Sequence, residues 1–286
     1  MLLVLIFSLF PDSYYRGLPF DALYTASSYC LSSLYVLPNF ENPAGFGVLE
    51  NSGLGVSFTY SPQGVQDILN YGTKVSFKNL SALYLYSQGG GFSYRPVLRK
   101  TVNLPDSALD ISINEFQLAV SDLLYYKFYG GLNIRYFYVR YAVAGFKNGE
   151  PFAEIGSGHG YSLGVGVLFQ VPGFSAGFYA QNIFSKVFYK GYSDDILKRY
   201  GGVGIQVSPL SRVSFFSDIS IYEGEKFSYT FASLIKPLKW LSIVGSYSLP
   251  DKNFGAGLGT EYKYGSFGIA YRKKVVSLTL RSYFYE

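Results

Sequence analysis

The feature that most constrains this chain is a two-residue alternation that recurs from residue 52 to the end. Between Tyr161 and Phe169 every second residue is large and apolar, and glycine or serine separates them, with Leu168 the exception. The pattern returns in 213–221, 254–263 and 276–284. Because successive side chains of a strand point to opposite faces, the alternation predicts strands with one apolar face.

The composition of the second face distinguishes a membrane barrel from a soluble β-sandwich. The β-sandwich stays open as the alternative. A solvated face is normally rich in charged residues. Here glycine and serine dominate it, and charged residues make up only 15% of the chain, against about 25% in soluble domains. The 29 tyrosines and 25 phenylalanines suit membrane interfaces. We therefore expect the apolar face to contact lipid and the small face to line a packed lumen.

The N-terminal stretch is too short to cross a membrane as a helix, which needs about 20 apolar residues. Its longest apolar run is Leu2 to Phe10, interrupted by Ser8. A closed barrel is the other way to cross lipid with every backbone group paired. The run is typical of the apolar core of a secretory signal, so we expect residues 1–13 to be a signal segment. The alternative is an N-terminal strand or helix of the mature protein.

The remaining chain divides into a plug, residues 14–51, which lacks alternation, and a transmembrane β-barrel, residues 52–286. The barrel is predicted to be antiparallel, with both termini on the periplasmic side. Its fourteen predicted strands lie near 52–60, 80–88, 90–98, 111–122, 128–143, 158–170, 173–183, 199–208, 211–222, 225–236, 238–249, 252–263, 265–273 and 275–285. Long connections are predicted at 61–79, 99–110, 144–157 and 184–198, and short turns at every even connection, two of them at Pro209-Leu210 and Pro237.

Residues suited to catalysis or metal binding are few, and we predict no enzyme, no metal site and no cofactor. Cys30 is the only cysteine, so an internal disulfide is excluded. His159 is the only histidine, which argues against a multi-histidine metal site and most Ser-His-Asp arrangements. Ser157 lies beside it, but a histidine in a glycine-rich stretch is the simpler interpretation. The net charge of +5 is scattered, which gives no indication of nucleic-acid binding.

Polar residues on the small face are predicted to line the lumen, either as a salt-bridged wall or as anchors for the plug. They are Arg95, Glu115, Gln117, Asn133, Arg135, Gln170, Asp218, Glu261, Lys263, Arg272 and Arg281. Pro96 falls inside the third strand and removes one ladder donor. Arg95 and Pro96 therefore mark a candidate lateral opening in the wall, unless Pro96 lies at the outer rim.

The segment before the first strand resembles the plug signature of the FadL-type outer-membrane superfamily. The resemblance rests on Asp21-Ala22-Leu23, the small residues Ala26 to Ser28, and Asn42-Pro43-Ala44-Gly45-Phe46. It implies fourteen strands around an N-terminal plug in the bacterial outer membrane, in contact with outer-membrane lipid. It also implies passive transport of hydrophobic small molecules of the fatty-acid or hydrocarbon type.

A second branch of the same superfamily leaves another function open. The run 174–184 resembles the PorV-like barrels of secretion systems. That resemblance implies a scaffold or shuttle whose partners are secretion-system or surface proteins.

Overall fold

The alternating segments form fourteen antiparallel strands in the computed structural model of the chain, which describes residues 40–60, 79–104, 107–147, 150–189, 196–272 and 275–284. The predicted signal segment and the predicted plug as far as residue 39 lie outside the described residues. The strands are β1 (Ser52–Tyr60), β2 (Leu80–Ser87), β3 (Gly90–Leu104), β4 (Ser107–Tyr125), β5 (Phe128–Lys147), β6 (Glu150–Val171), β7 (Phe174–Tyr189), β8 (Tyr200–Leu210), β9 (Val213–Tyr222), β10 (Ser228–Leu238), β11 (Leu241–Leu249), β12 (Asn253–Tyr262), β13 (Gly265–Arg272) and β14 (Val275–Phe284). A 3₁₀ helix, Pro43–Val48, precedes β1. No helix that the structure describes is long and apolar enough to cross a membrane.

The barrel closes between its first and last strands. Each strand pairs with its neighbours in sequence, and β1 pairs with β14 from Ser52 opposite Phe284 to Tyr60 opposite Val276. Closure pairs the first strand with the last, so backbone groups within the ladder are paired between strands. The predicted fourteen-stranded barrel is confirmed.

The two faces of the wall follow the sequence alternation. On β5, Leu132 and Ile134 are exposed, whereas Asn133 and Arg135 between them are buried. Exposed leucines, isoleucines, valines and phenylalanines occur in the same way along the other strands. The apolar face points outward and the polar and small residues point into the lumen, as expected for a transmembrane barrel.

Two bands of exposed aromatic side chains mark the ends of the apolar surface. The band towards the odd-numbered connections, which we call the outer band, contains Tyr136, Tyr161, Tyr229, Tyr247 and Tyr271. The band beside the even-numbered turns contains Tyr125, Tyr126, Trp240, Tyr262 and Tyr264. Along β5 the bands are eight residues apart, from Phe128 to Tyr136, or about 27 Å along the strand. With a strand tilt of about 40° this is about 20 Å along the membrane normal, close to the ~25 Å apolar band of such barrels.

The predicted long connections at 99–110 and 144–157 are wrong. β3 and β4 extend to Leu104 and Ser107, and β5 and β6 extend to Lys147 and Glu150. β7 likewise continues to Tyr189, so the predicted 184–198 connection is shorter. Beyond the outer aromatic band both faces of a strand contact water, so the apolar alternation stops while backbone pairing continues. The remaining predicted long connection, 61–79, lies mostly outside the described residues.

Two of the predicted turns are displaced by two residues. Pro209 belongs to β8 and Pro237 to β10, and the turns are Ser211-Arg212 and Lys239-Trp240. The ladder shifts register between Val207 and Leu210 and between Ile235 and Leu238. These irregularities accommodate prolines, which lack a backbone donor, inside the strand ends.

A charge placed at the middle of the apolar face should destabilise the barrel more than the same charge near its edge. Leu258 lies halfway between the two aromatic bands on β12 and is exposed, and Thr260 lies on the same face closer to Tyr262. We expect Leu258→Arg to lower the free energy of unfolding in lipid vesicles by roughly 2–4 kcal/mol, and Thr260→Arg by about 1 kcal/mol or less. Equal losses in urea titrations would contradict the proposed position of the bilayer.

Candidate functional site: the lumen wall around the hatch segment

Residues 40–51, the hatch segment, run along the inside of the wall before the chain enters β1. Asn42 caps the 3₁₀ helix, because its Oδ1 accepts a hydrogen bond from the backbone N of Ala44 at 3.2 Å. Pro43 occupies the first helical position, where its fixed φ suits a helix and its missing N–H leaves no donor unpaired. Pro43, Ala44, Gly45 and Phe46 are all buried. The helix contacts β3, β4, β5 and β6.

Two glycines of the wall let the hatch segment approach the sheet. A Cβ on Gly131 of β5 would overlap the backbone of Pro43 and Ala44. A Cβ on Gly166 of β6 would overlap the Asn42 side chain and lie 2.9 Å from Cδ of Pro43. A larger residue at either position would clash with the hatch segment and displace the helix from the wall.

Polar side chains of the wall bind the carbonyl groups of the hatch segment. Gln117 Nε2 and Asn133 Nδ2 both donate to the Phe40 carbonyl, at 2.9 and 2.6 Å. Gln181 Nε2 donates to the Glu41 carbonyl at 2.5 Å, and Ser121 Oγ to the Ala44 carbonyl at 3.0 Å. A short irregular segment cannot pair all its own backbone groups, so these donors supply the partners that burial requires.

The Glu41 side chain joins the hatch segment to the wall through a buried charge pair. An Arg135 guanidinium nitrogen lies 3.2 Å from Glu41 Oε2 and donates at 2.7 Å to the hydroxyl of Tyr200. The Tyr200 hydroxyl in turn donates to Glu41 Oε2. Arg135 has no exposed surface, and Glu41 and Tyr200 are buried. Removing one partner of such a pair leaves a buried charge without compensation. The pair therefore favours the position in which the hatch segment lies against the wall, which we call the docked position.

Tyr200 is itself held by two further tyrosines on β7 and β9. Its ring stacks on Tyr222, with centroids 4.9 Å apart and planes 5° apart. Tyr179 meets it edge-on at 6.2 Å. The three rings are buried, and we call them the tyrosine cluster. They fix the position of the hydroxyl that faces Glu41.

The candidate lateral opening on β3 lies at an irregularity of the wall. Arg95 is buried and binds Glu115 through its Nε, 2.7 Å from Oε1. The ladder between β3 and β4 shifts register between Pro96 and Leu98, so Val97 forms a bulge. The ladder between β2 and β3 ends with Leu83 opposite Tyr94. Among the described residues, β3 beyond Tyr94 pairs with β4 only.

The other predicted lumen residues lie on the far side of the barrel. Glu261 and Arg281 line a polar cavity of about 390 Å³ between the end of the hatch segment, at Glu50, and strands β8 to β14. Glu261 accepts a hydrogen bond from the Tyr283 hydroxyl at 3.2 Å. Asp218 is buried, and Arg272 donates to Ser248 Oγ at 3.4 Å.

Two of the predicted lumen residues lie near the rim. Lys263 occupies the exposed turn after β12, with its ammonium 5.2 Å from the Tyr264 ring centroid, so its placement in the lumen is wrong. A turn breaks the alternation that the prediction extended past Glu261. Gln170 lines a rim pocket with Lys127 and Tyr129.

The single histidine lies on the outward face of the wall. His159 is exposed, and its Nδ1 is bound to the Tyr136 hydroxyl of β5 instead of to Ser157.

Sequence reasoning missed Glu41, Gln181 and Tyr200. The only local signal for Glu41 is its position beside the Asn42-Pro43 corner. Gln181 lies within the run 174–184 used for the resemblance, and Tyr200 directly precedes Gly201-Gly202. No short-range pattern connects them, because they are 140 and 159 positions from Glu41.

The fold and the occupied lumen define a transmembrane barrel with an internal N-terminal segment. No protein-family model matches the sequence, and no curated protein sequence matches it either. Among solved structures, a FadL homologue of Pseudomonas aeruginosa matches with a TM-score of 0.61 at 11% identity, covering 93% of this chain and 98% of that chain. The toluene transporter TodX of Pseudomonas putida matches with a TM-score of 0.62 at 9% identity, covering 95% and 99%. The chain therefore has the FadL-type outer-membrane barrel fold.

Neutralising Glu41 should loosen the hatch segment while leaving the barrel intact. Glu41→Gln leaves Arg135 buried without its carboxylate partner, which destabilises the docked position by roughly 3–5 kcal/mol. We expect higher conductance in planar bilayers, with the folded barrel still migrating faster on gels unboiled than boiled. Glu50→Gln is the matched control, because Glu50 is exposed on the same segment. Equal conductance for the two variants would show that Glu41 does not hold the hatch segment.

Removing most of the predicted plug should open the lumen further. Deletion of residues 14–46 removes the Glu41 carboxylate and the buried turn of helix that fills the β3–β6 side of the lumen. We expect a rise in single-channel conductance larger than that of Glu41→Gln. Unchanged conductance in a deletion that still forms a heat-modifiable barrel would show that this segment does not occlude the pore.

Proposed function

We propose that the protein mediates passive transport of hydrophobic small molecules, of the fatty-acid or hydrocarbon type, across the bacterial outer membrane. The cargo enters from the outer side and leaves through the wall between β2 and β3, at Arg95 and Pro96. It reaches the hydrocarbon phase of the membrane without crossing the periplasmic mouth.

The observation that carries the proposal is the end of the β2–β3 ladder at Tyr94. β3 continues to Leu104 beside β4, and among the described residues its pairing with β2 reaches Tyr94. Pro96 lacks a backbone donor, and Val97 beside it is bulged. A proline and a bulge next to the end of a ladder weaken the hold between strands, which favours a passage through the wall at the level of the outer aromatic band.

The lumen itself favours a sideways exit. The hatch segment fills the side of the lumen formed by β3 to β6, where Glu41 and Arg135 form a buried ion pair. The cavity at the periplasmic end is lined by Arg212, Lys236, Glu261 and Arg281. An apolar molecule would have to displace water from these charged groups, whereas the apolar band of the wall, which accepts it readily, begins near Tyr94, two residues from Pro96.

The structural neighbours support the same class of cargo. TodX is described as a toluene transporter and as a monoaromatic hydrocarbon channel. At identities near 10% the likeness concerns the fold, so the cargo of this chain rests on its own wall and lumen.

The scaffold function implied by the PorV-like resemblance is the second candidate. It is favoured by the network of wall donors and the buried ion pair that hold the hatch segment in the lumen. A scaffold needs a closed lumen and no opening in the wall. The two functions therefore predict different effects of replacing Pro96.

Replacing Pro96 with valine should reduce uptake. Pro96→Val restores a backbone donor and favours a straight, fully paired strand. We expect slower uptake of a labelled fatty acid or alkane in cells with an unchanged level of folded barrel. Pro209→Val is the matched control, because Pro209 lies at the irregular end of β8, away from β3. Unchanged uptake by Pro96→Val would place the exit elsewhere. Wild-type uptake no higher than that of an empty vector would exclude transport and leave the scaffold function.

A further inference from the structure

An apolar groove crosses the outward face of β7, β8 and β9, away from the irregularity of the wall at Pro96. It has a volume of about 700 Å³, and its apolar lining includes Phe178, Ala180, Val203, Ile219, Ile221 and Phe227. A second depression of about 410 Å³ adjoins it and shares Phe178, Val203 and Ile219. Together they form one continuous surface feature, which we call the β7–β9 groove.

The groove exists because small residues lie between large ones on the lipid-facing side. Ala180 on β7 pairs with Gly201 on β8, while Phe178 and Val203 beside them are exposed. Above this pair the β7–β8 ladder ends at Gln181 opposite Tyr200. The groove therefore begins where the β7–β8 ladder ends and continues down the apolar band.

The length of the groove matches one leaflet of a bilayer. Its lining on β8 and just before it extends from Arg199, through Gly201 and Val203, to Ile205. Six residues of strand span about 20 Å. A strand tilt of about 40° reduces this to about 15 Å along the membrane normal, somewhat more than half of the ~25 Å apolar band of such barrels.

The outer end of the groove carries two basic residues and one carboxylate, which leaves a net positive charge among the three. Lys198 and Arg199 are exposed in the segment that leads into β8, and Arg199 and Glu223 line the groove. The Glu223 carboxylate accepts a hydrogen bond from the backbone N of Arg199 at 3.0 Å. Arginine binds phosphate oxygens through its planar guanidinium group. The charge at this end of the apolar groove therefore suits the phosphate of a lipid that lies against the wall.

We infer that the β7–β9 groove is a binding site for one phosphate-bearing lipid of the outer leaflet, with an acyl chain along Ala180 and Val203 and the phosphate at Arg199. Transported cargo is a less suitable occupant, because the tyrosine cluster is buried between the groove and the lumen. The site depends on the position of the barrel in the membrane and is independent of the proposed transport.

Filling the groove should weaken binding of an added lipid. The probe is palmitoyl-oleoyl phosphatidylglycerol, titrated onto the purified full-length barrel in detergent and counted by native mass spectrometry. We expect the wild type to retain one lipid. Ala180→Leu should weaken binding about tenfold, the loss expected when roughly two methylene groups are displaced from the protein surface. Arg199→Gln should weaken it about fivefold, as expected for loss of one basic contact.

The matched control is Ala256→Leu, which makes the same change on the lipid-facing side of β12, outside the groove. If Ala180→Leu does not form a heat-modifiable barrel, Val203→Trp, which fills the same groove from β8, serves as the test variant instead. Equal affinity of the groove variant and Ala256→Leu would overturn the assignment, as would a wild type that retains no lipid. Displacement of the lipid by an equimolar alkane would also overturn it, because the groove would then be a cargo site. Uptake assays do not enter these outcomes, so this test and the transport test can fail separately.

Discussion

Every backbone N–H and C=O group inside the hydrocarbon layer needs a partner, and the closed strand ladder meets that need. Closure between β1 and β14, with Ser52 opposite Phe284, brings the start of the first strand beside the end of the last. The chain before Ser52 therefore reaches the barrel at the rim that carries the even-numbered turns. The hatch segment turns from there into the lumen, so its position depends on how the barrel closes.

The lumen wall differs on its two sides because the 3₁₀ helix of the hatch segment packs against only one of them, β3 to β6, among the described residues. On β5, β6 and β7 the wall combines glycines that allow close contact with side chains that bind the Phe40 and Glu41 carbonyls. Towards β8 to β14 the lumen retains a polar cavity instead. The buried pair of Glu41 and Arg135 distinguishes docked from undocked positions, since neither charge is easily left alone in this environment.

Strand positions could be read from the sequence wherever the strands cross the apolar band. Side chains that alternate between lipid and lumen give β12 and β14 a clear period of two, and the inward direction of Glu115, Gln117 and Arg135 followed from it. The same signal failed at 99–110 and 144–157, where paired strands extend into water and neither face needs to be apolar. It failed again at Lys263, because a turn has no fixed face.

The sequence by itself determined the strands, their inward and outward faces, their number and the corner at Asn42-Pro43, because each depends on residues close together in the chain. Only the tertiary structure decided that Glu41 meets Arg135, 94 positions away, and Tyr200, 159 positions away. It also decided that the β2–β3 ladder ends one residue before Arg95. The closure of the barrel and the register between its strands set which lumen residues lie at the same height. The order of residues along the chain does not specify that register.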